Sequence, residues 1–120
     1  MKIAIPANGK EMNSSIEAHF GRAAGFLVYD DQKKDSEYIL NGQDPGSVQG
    51  AGIQAAKRIA DAGADILIVA NIGPKAYSAI TEAGIDIYYA DAQSIEETLL
   101  SLHENRLEKA REPNTRAHQG

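Results

Sequence analysis

The chain reads as a three-layer α/β protein with a mixed sheet of five strands, on three observations. The segments Ala62-Gly63-Ala64-Asp65-Ile66 and Ala83-Gly84-Ile85-Asp86-Ile87 share the pattern Ala-Gly-x-Asp-Ile. Each joins an apolar stripe at helical spacing to a short apolar run, so a helix–strand unit is repeated, and such repeats build parallel strands through right-handed crossovers. The run Asp65-Ile66-Leu67-Ile68-Val69-Ala70 has the β-branched apolar composition of a strand covered on both faces. Nearer the start, two strand-like runs flank a polar turn, which adds an antiparallel hairpin.

In chain order, Ile3, Ala4 and Ile5 predict a short buried strand closed by Pro6, followed by loop chemistry at Ala7-Asn8-Gly9-Lys10. The stretch from Ser14 to Ala24 has room for one or two helical turns, with Ser14 as a cap. Phe26-Leu27-Val28-Tyr29 and Glu37-Tyr38-Ile39-Leu40 are the hairpin strands, joined through the solvated residues Asp30 to Ser36. Asn41 to Gln49 is a loop of turn formers. Gly50-Ala51-Gly52 opens a helix with Ile53, Ala56, Ile59 and Ala60 on its apolar face, and Gly63 is its C-terminal cap residue. After the buried strand, Pro74 fits the first turn of a second helix carrying Ala76, Tyr77, Ile80 and Ala83, which Gly84 ends. Ile85 to Tyr89 is the fifth strand. Ser94 and Glu97 form a capping box for a last helix with the stripe Ile95, Leu99, Leu102. Residues 1–104 are expected to form one domain and 105–120 a disordered tail.

A chain of 120 residues with 42% hydrophobic content has the size and composition for one real core. The net charge of −5, with no Lys/Arg-rich block, argues against a nucleic-acid partner. Cysteine is absent, which excludes disulfides, thiolate nucleophiles and clusters held by the protein's own thiolates. No apolar run approaches the length of a membrane span or a signal segment, so a cytoplasmic, membrane-free protein is expected.

The most informative residues are Glu17-Ala18-His19-Phe20-Gly21-Arg22. A neutral imidazole ligates iron and other transition metals, and a guanidinium matches anionic groups bidentately, so His19 and Arg22 lead any site. The bland alternative is a packed His-Phe pair with a satisfied partner, and an Arg22 that caps a helix end or pairs with Glu17. Gly50-x-Gly52 is half of a dinucleotide fingerprint, but Ala55 stands where the third glycine belongs, and no short strand-to-helix turn precedes it. What remains is backbone N–H groups at a helix start, open to an anion, or simply a tight entry and close helix–sheet packing. Asn71-Ile72-Gly73-Pro74 lies at the C-terminal end of a buried strand, the edge where open α/β sheets bind ligands. Asn71 and Gly73 are therefore candidates, against an ordinary strand-to-helix turn. Asp65 and Asp86 sit at strand starts, the wrong edge, and no nucleophile elbow or histidine pair suggests an enzyme.

His19-Phe20-Gly21-Arg22, Gly50-Ala51-Gly52-Ile53-Gln54-Ala55-Ala56, Asn71-Ile72-Gly73-Pro74-Lys75-Ala76 and Ala83-Gly84-Ile85 stand in a familiar order and spacing. Through them the chain resembles the dinitrogenase iron–molybdenum cofactor biosynthesis family, the group of NifX, the C-terminal domain of NifB and the core domain of NafY. The likeness spans Met1 to about Leu102. It implies a ribonuclease-H-like three-layer α/β/α fold and a non-enzymatic binding or carrier role for an iron–sulfur–molybdenum cofactor or its precursor, with a protein partner in cofactor assembly. By matching position, His19 would be a cluster ligand or hydrogen-bond donor and Arg22 its charge partner. Phe20 and Gly21 complete that motif, and Gly50, Gly52 and Gly73 would give backbone access. Many members have a histidine near the Gly-x-Gly segment; here Gln49 precedes Gly50, which removes a second ligand. The alternative is a small regulatory or interaction domain that binds an anionic metabolite or a protein without metal. A hydrolase of ribonuclease-H type ranks last, because none of Ile3 to Ala7 is acidic.

Overall fold

In the computed structural model, residues 1–41, 51–91 and 93–114 are described. Strands β1 (Lys2–Ala7), β2 (Gly25–Asp30), β3 (Asp35–Leu40), β4 (Ile66–Val69), β5 (Asp86–Tyr89) and β6 (Glu108–Lys109) form one sheet in the order β3-β2-β1-β4-β5-β6. β1 pairs with β4, and β4 with β5, in parallel; β2 is antiparallel to β1 and β3, and β6 is antiparallel to β5. The order β3-β2-β1-β4-β5 with an inverted β2 is the ribonuclease-H-like arrangement that the resemblance implied.

Among the described residues three α-helices cover the sheet: α1 (Ala51–Asp61), α2 (Pro74–Glu82) and α3 (Ile95–His103). Strand alternation sorts the core into two halves. Ala4, Phe26, Val28, Leu67, Val69 and Ile87 face α1 and α2. Ile3, Ile5, Leu27, Ile66 and Ile68 face the opposite way, toward Ile95, Leu99 and Leu102 of α3. Both faces of β4 are buried, as its composition predicts.

The repeated Ala-Gly-x-Asp-Ile junctions have one physical cause. Gly63 and Gly84 adopt φ of +82° and +80°. The Gly63 and Ala64 amides bond back to the Ala60 and Ile59 carbonyls, and the Gly84 and Ile85 amides to Thr81 and Ile80. Each is a Schellman end, in which a left-handed residue satisfies the last helical carbonyls and turns the chain into the next strand. Asn105, at φ +59°, ends α3 in the same way, with the Arg106 amide on the Ser101 carbonyl. At the start of α3, the Ser94 hydroxyl accepts the Glu97 amide at 3.1 Å, the predicted cap.

Three expectations need correction. Pro6 does not close the first strand, which continues to Ala7, with Pro6 opposite Phe26. Its carbonyl accepts the Glu17 amide at 2.9 Å. In an extended residue the nitrogen points to the side of its own carbonyl, so the missing N–H is not one that β2 needs. The stretch from Ser14 to Ala24 holds one 3₁₀ turn, Phe20–Arg22, within the one or two turns expected, but Ser14 does not cap it: the residue before the turn is His19, and the Ser14 carbonyl accepts the Ile95 amide at the start of α3. The sheet has six strands, because the segment expected to be a disordered tail supplies β6. Leu107 packs into the α3 side of the core and Ala110 into the other, which seats β6 on the edge of β5. The loop expected at 42–49 lies outside the described residues, as do Gly50 and residues 115–120.

Candidate functional site

β1 leads leftward to β2 and β3, and β4 leads rightward to β5, so the switch point of the sheet lies between β1 and β4. In open α/β sheets the crevice there, beyond the C-terminal strand ends, receives ligands. Here the chain's own segment 15–19 enters it. Ile16 bridges Ala7 at the end of β1 in antiparallel sense, and His19 bridges Asn71, just past β4, in parallel. The Glu17 amide donates to the Pro6 carbonyl, and Asn71 Nδ2 donates to the Ala18 carbonyl at 3.1 Å. The segment is also tied to α3. Ser15 bridges Ser94, the Ile16 amide donates to the Gln93 carbonyl, and the carbonyls of Met12 and Ser14 accept the Glu96 and Ile95 amides. Those last two bonds satisfy donors that every helix start leaves unpaired.

The structure divides the predicted motif by face. Phe20 is 2% exposed and stacks on Phe26 with ring centroids 5.4 Å apart, tilted at 44°. Gly21 is buried beside it. Phe20 belongs to the core cluster shared with α1 and α2. His19 is half-buried at the head of the 3₁₀ turn; its amide donates to Glu17 Oε1 at 3.2 Å, and its carbonyl accepts the Arg22 amide at 3.0 Å. Among the described residues no hydrogen bond reaches the His19 ring. Arg22 is exposed at the end of the same turn, and none of the ion pairs found among the described residues involves it. Glu17 therefore holds the His19 backbone instead of pairing with Arg22.

The other candidates are placed differently. Asn71 joins the site directly through the His19 bridge. Gly73 is the buried residue before α2, in extended conformation with φ −85° and ψ 170°, and its carbonyl accepts the Tyr77 amide. Gly52 faces α2: a Cβ there would stand 3.0 Å from the Ala76 Cβ, so this glycine lets α1 and α2 approach closely. That favours packing over backbone access at Gly52. Gly50 lies outside the described residues.

Two residues that sequence reasoning missed shape the same edge. Asn41 is 3% exposed; its amide donates to the Ala24 carbonyl and its Nδ2 to Ala23, both at 2.9 Å, pinning the exit of the 3₁₀ turn to the end of β3. Asn114 holds the β4–α2 turn. Its Nδ2 donates to the Ala70 carbonyl and its Oδ1 accepts the Ile72 amide, both at 2.8 Å. A run of turn formers hid the first and a polar tail the second; only the unpaired edge of β5 and the apolar Leu107 and Ala110 hinted at more structure.

Among the described residues no three histidine or carboxylate side chains gather to hold a metal ion, and no helix is long and apolar enough to cross a membrane. The candidate residues offer one imidazole and one guanidinium. That donor set suits a cargo that brings its own sulfide ligands better than a bare cation needing a full shell.

A sequence model described as dinitrogenase iron-molybdenum cofactor matches residues 1–105. An uncharacterized protein of Methanocaldococcus jannaschii, MJ0580, is 39% identical over 112 residues, covering 91% of each chain. The apo form of the orange protein from Desulfovibrio gigas superposes with a TM-score of 0.90 at 33% identity, over 95% of this chain and 96% of that one. A Thermotoga protein with a provisional NifB designation has a TM-score of 0.79 at 24% identity, covering 99% and 98%, a likeness of fold.

Proposed function

The chain belongs to the dinitrogenase iron-molybdenum cofactor family, and from that premise we propose that it is a non-enzymatic carrier for an iron–sulfur–molybdenum cofactor or a precursor of it. The observation that carries this reading is the His19 imidazole: its backbone is fixed on both sides, its ring has no hydrogen-bond partner among the described residues, and it stands at the sheet's switch point. A ring left without a partner keeps a nitrogen lone pair for a metal. Arg22, one turn on, supplies the charge-assisted donors that an anionic cluster accepts. One metal bond plus hydrogen bonds is a hold that can be released, as delivery requires. The orange protein, similar in fold and at 33% identity, was solved as an apo form, a term used for proteins that take up a group. A protein partner that receives the cargo belongs to the same reading.

The test is anaerobic incubation with isolated iron–molybdenum cofactor, followed by metal analysis and visible absorption. Wild type should retain metal and His19→Ala should lose it. Because the ring makes no bond among the described residues, that variant should melt within about 0.5 kcal/mol of wild type. Equal uptake by both proteins would refute the ligand. No uptake by wild type would instead favour an interaction domain without metal, for which the half-exposed Ile53 beside Pro74 and Ala79, in the open groove between α1 and α2, is the motivating feature.

A further inference from the structure

We propose that Asn114 is a positioning residue for the candidate site, and that residues 108–114 form a strap whose docking sets the placement of the His19 segment. This deepens the carrier reading and rests on it for its functional consequence only.

β6 runs antiparallel beside β5 as far as Ile87, and the chain then returns past the Tyr89 side chain to the C-terminal end of β4. The Ala110 amide donates to the Ile87 carbonyl at 2.8 Å, and the Tyr89 hydroxyl donates to the Glu112 carbonyl at 2.5 Å. Asn114 then makes three bonds to one turn: Nδ2 to the Ala70 carbonyl, Oδ1 from the Ile72 amide, and its own amide to the Ile72 carbonyl at 3.2 Å. Ala70 and Ile72 flank Asn71, the residue that bridges His19 and donates to the Ala18 carbonyl. The strap therefore fixes the peptide groups on both sides of Asn71, and Asn71 fixes the segment that carries the imidazole. Each link is a hydrogen bond between named atoms, and Asn is the residue type the position needs: one donor and one acceptor on a short side chain.

The wiring makes a specific claim about motion. Opening the strap frees the Ile72 amide and the Ala70 carbonyl, loosens Asn71, and so loosens residues 16–19, while the β2–β3 hairpin on the far side of the sheet is untouched. A carrier built this way would hold its cargo with the strap docked and let it go when a partner peels the strap from β5.

The experiment is amide hydrogen exchange by NMR on the full chain, for wild type, Asn114→Ala and Asn114→Asp. In Asn114→Ala the Ile72 amide should exchange about tenfold faster or more. The Glu17 and Arg22 amides, which report on the His19 segment, should follow, hairpin amides should not, and the His19 ring resonance should move at fixed neutral pH. Asn114→Asp supplies the rescue. As a carboxylate it cannot donate to Ala70 and should behave like the alanine variant at pH 7. Protonated, below a pKa that is ordinarily about 3.9, it regains a donor and an acceptor and should restore wild-type protection measured at the same pH. Uptake of isolated iron–molybdenum cofactor should weaken about tenfold in Asn114→Ala. Faster exchange at Ile72 alone, with Glu17, Arg22 and the His19 ring unchanged, would overturn the proposal, as would uniform acceleration of every amide or no rescue of the aspartate at low pH. If wild type takes up no cofactor the carrier reading fails, and the exchange data still decide the strap.

Discussion

Gly25 is a residue whose identity is dictated by its neighbour. A Cβ there would lie 2.5 Å from the Tyr38 ring and 2.7 Å from the Ile39 carbonyl, so neither ring nor backbone leaves space for a methyl group. The ring is held in that place because its hydroxyl donates to the Ala7 carbonyl at 3.0 Å. Gly25→Ala should destabilise the protein by about 1–3 kcal/mol through overpacking, read as a lower urea midpoint. Asn41→Ala should cost about 1–3 kcal/mol, since it strands the buried Ala23 carbonyl. At this scale the sequence was partly legible. The candidates His19 and Arg22 stood out by chemistry alone, and the structure leaves neither buried, unlike Phe20 and Gly21 between them. Nothing local marks Asn41 or Asn114, whose partners are 18 and 44 or 42 residues away.

Elements followed the sequence where their ends are chemically local. The glycine ends of α1 and α2, Pro74 at the first turn of α2 and the Ser94 cap are decided within about one helical turn, so neighbouring residues suffice to predict them. Gly84→Ala isolates that local term: φ is +80° and no atom lies within 4 Å of the added methyl. It should lower stability by about 1–2 kcal/mol from backbone strain alone, visible as a drop in Tm with no change in the site's exchange pattern. Prediction failed where an element is completed by distant chain. Pro6 stays in β1 because Glu17 uses its carbonyl, and β6 exists because β5 offers an open edge. Ser14 caps no helix in the stretch 14–24 because its carbonyl and its neighbours' backbone groups are claimed by α3, β1 and the end of β4.

For the whole molecule the strap ties stability to alkaline pH. Burial, then the neighbouring Tyr77 and Glu112, push the Tyr89 phenol above its ordinary value of 10.0. A group whose folded pKa is raised contributes fully below its unfolded pKa and loses that contribution as pH rises through the folded one. The neutral hydroxyl also donates to Glu112, a bond that the phenolate cannot make. Wild-type Tm should therefore fall from about pH 10 upward more steeply than that of Tyr89→Phe, in parallel melts between pH 8 and 11. By itself, the sequence determined the α/β class, the repeated helix–strand units, their caps and the family, because periodicity and turn chemistry act over a few residues and four motifs stand in register. Only the tertiary structure decided that residues 15–19 bridge the ends of β1 and β4, that Gly52 lies against Ala76 of α2, and that Asn114 holds the β4–α2 turn. Those outcomes depend on which backbone groups remain unpaired once the sheet has formed, and backbone hydrogen-bonding groups are the same in every residue but proline, so no local pattern announces them.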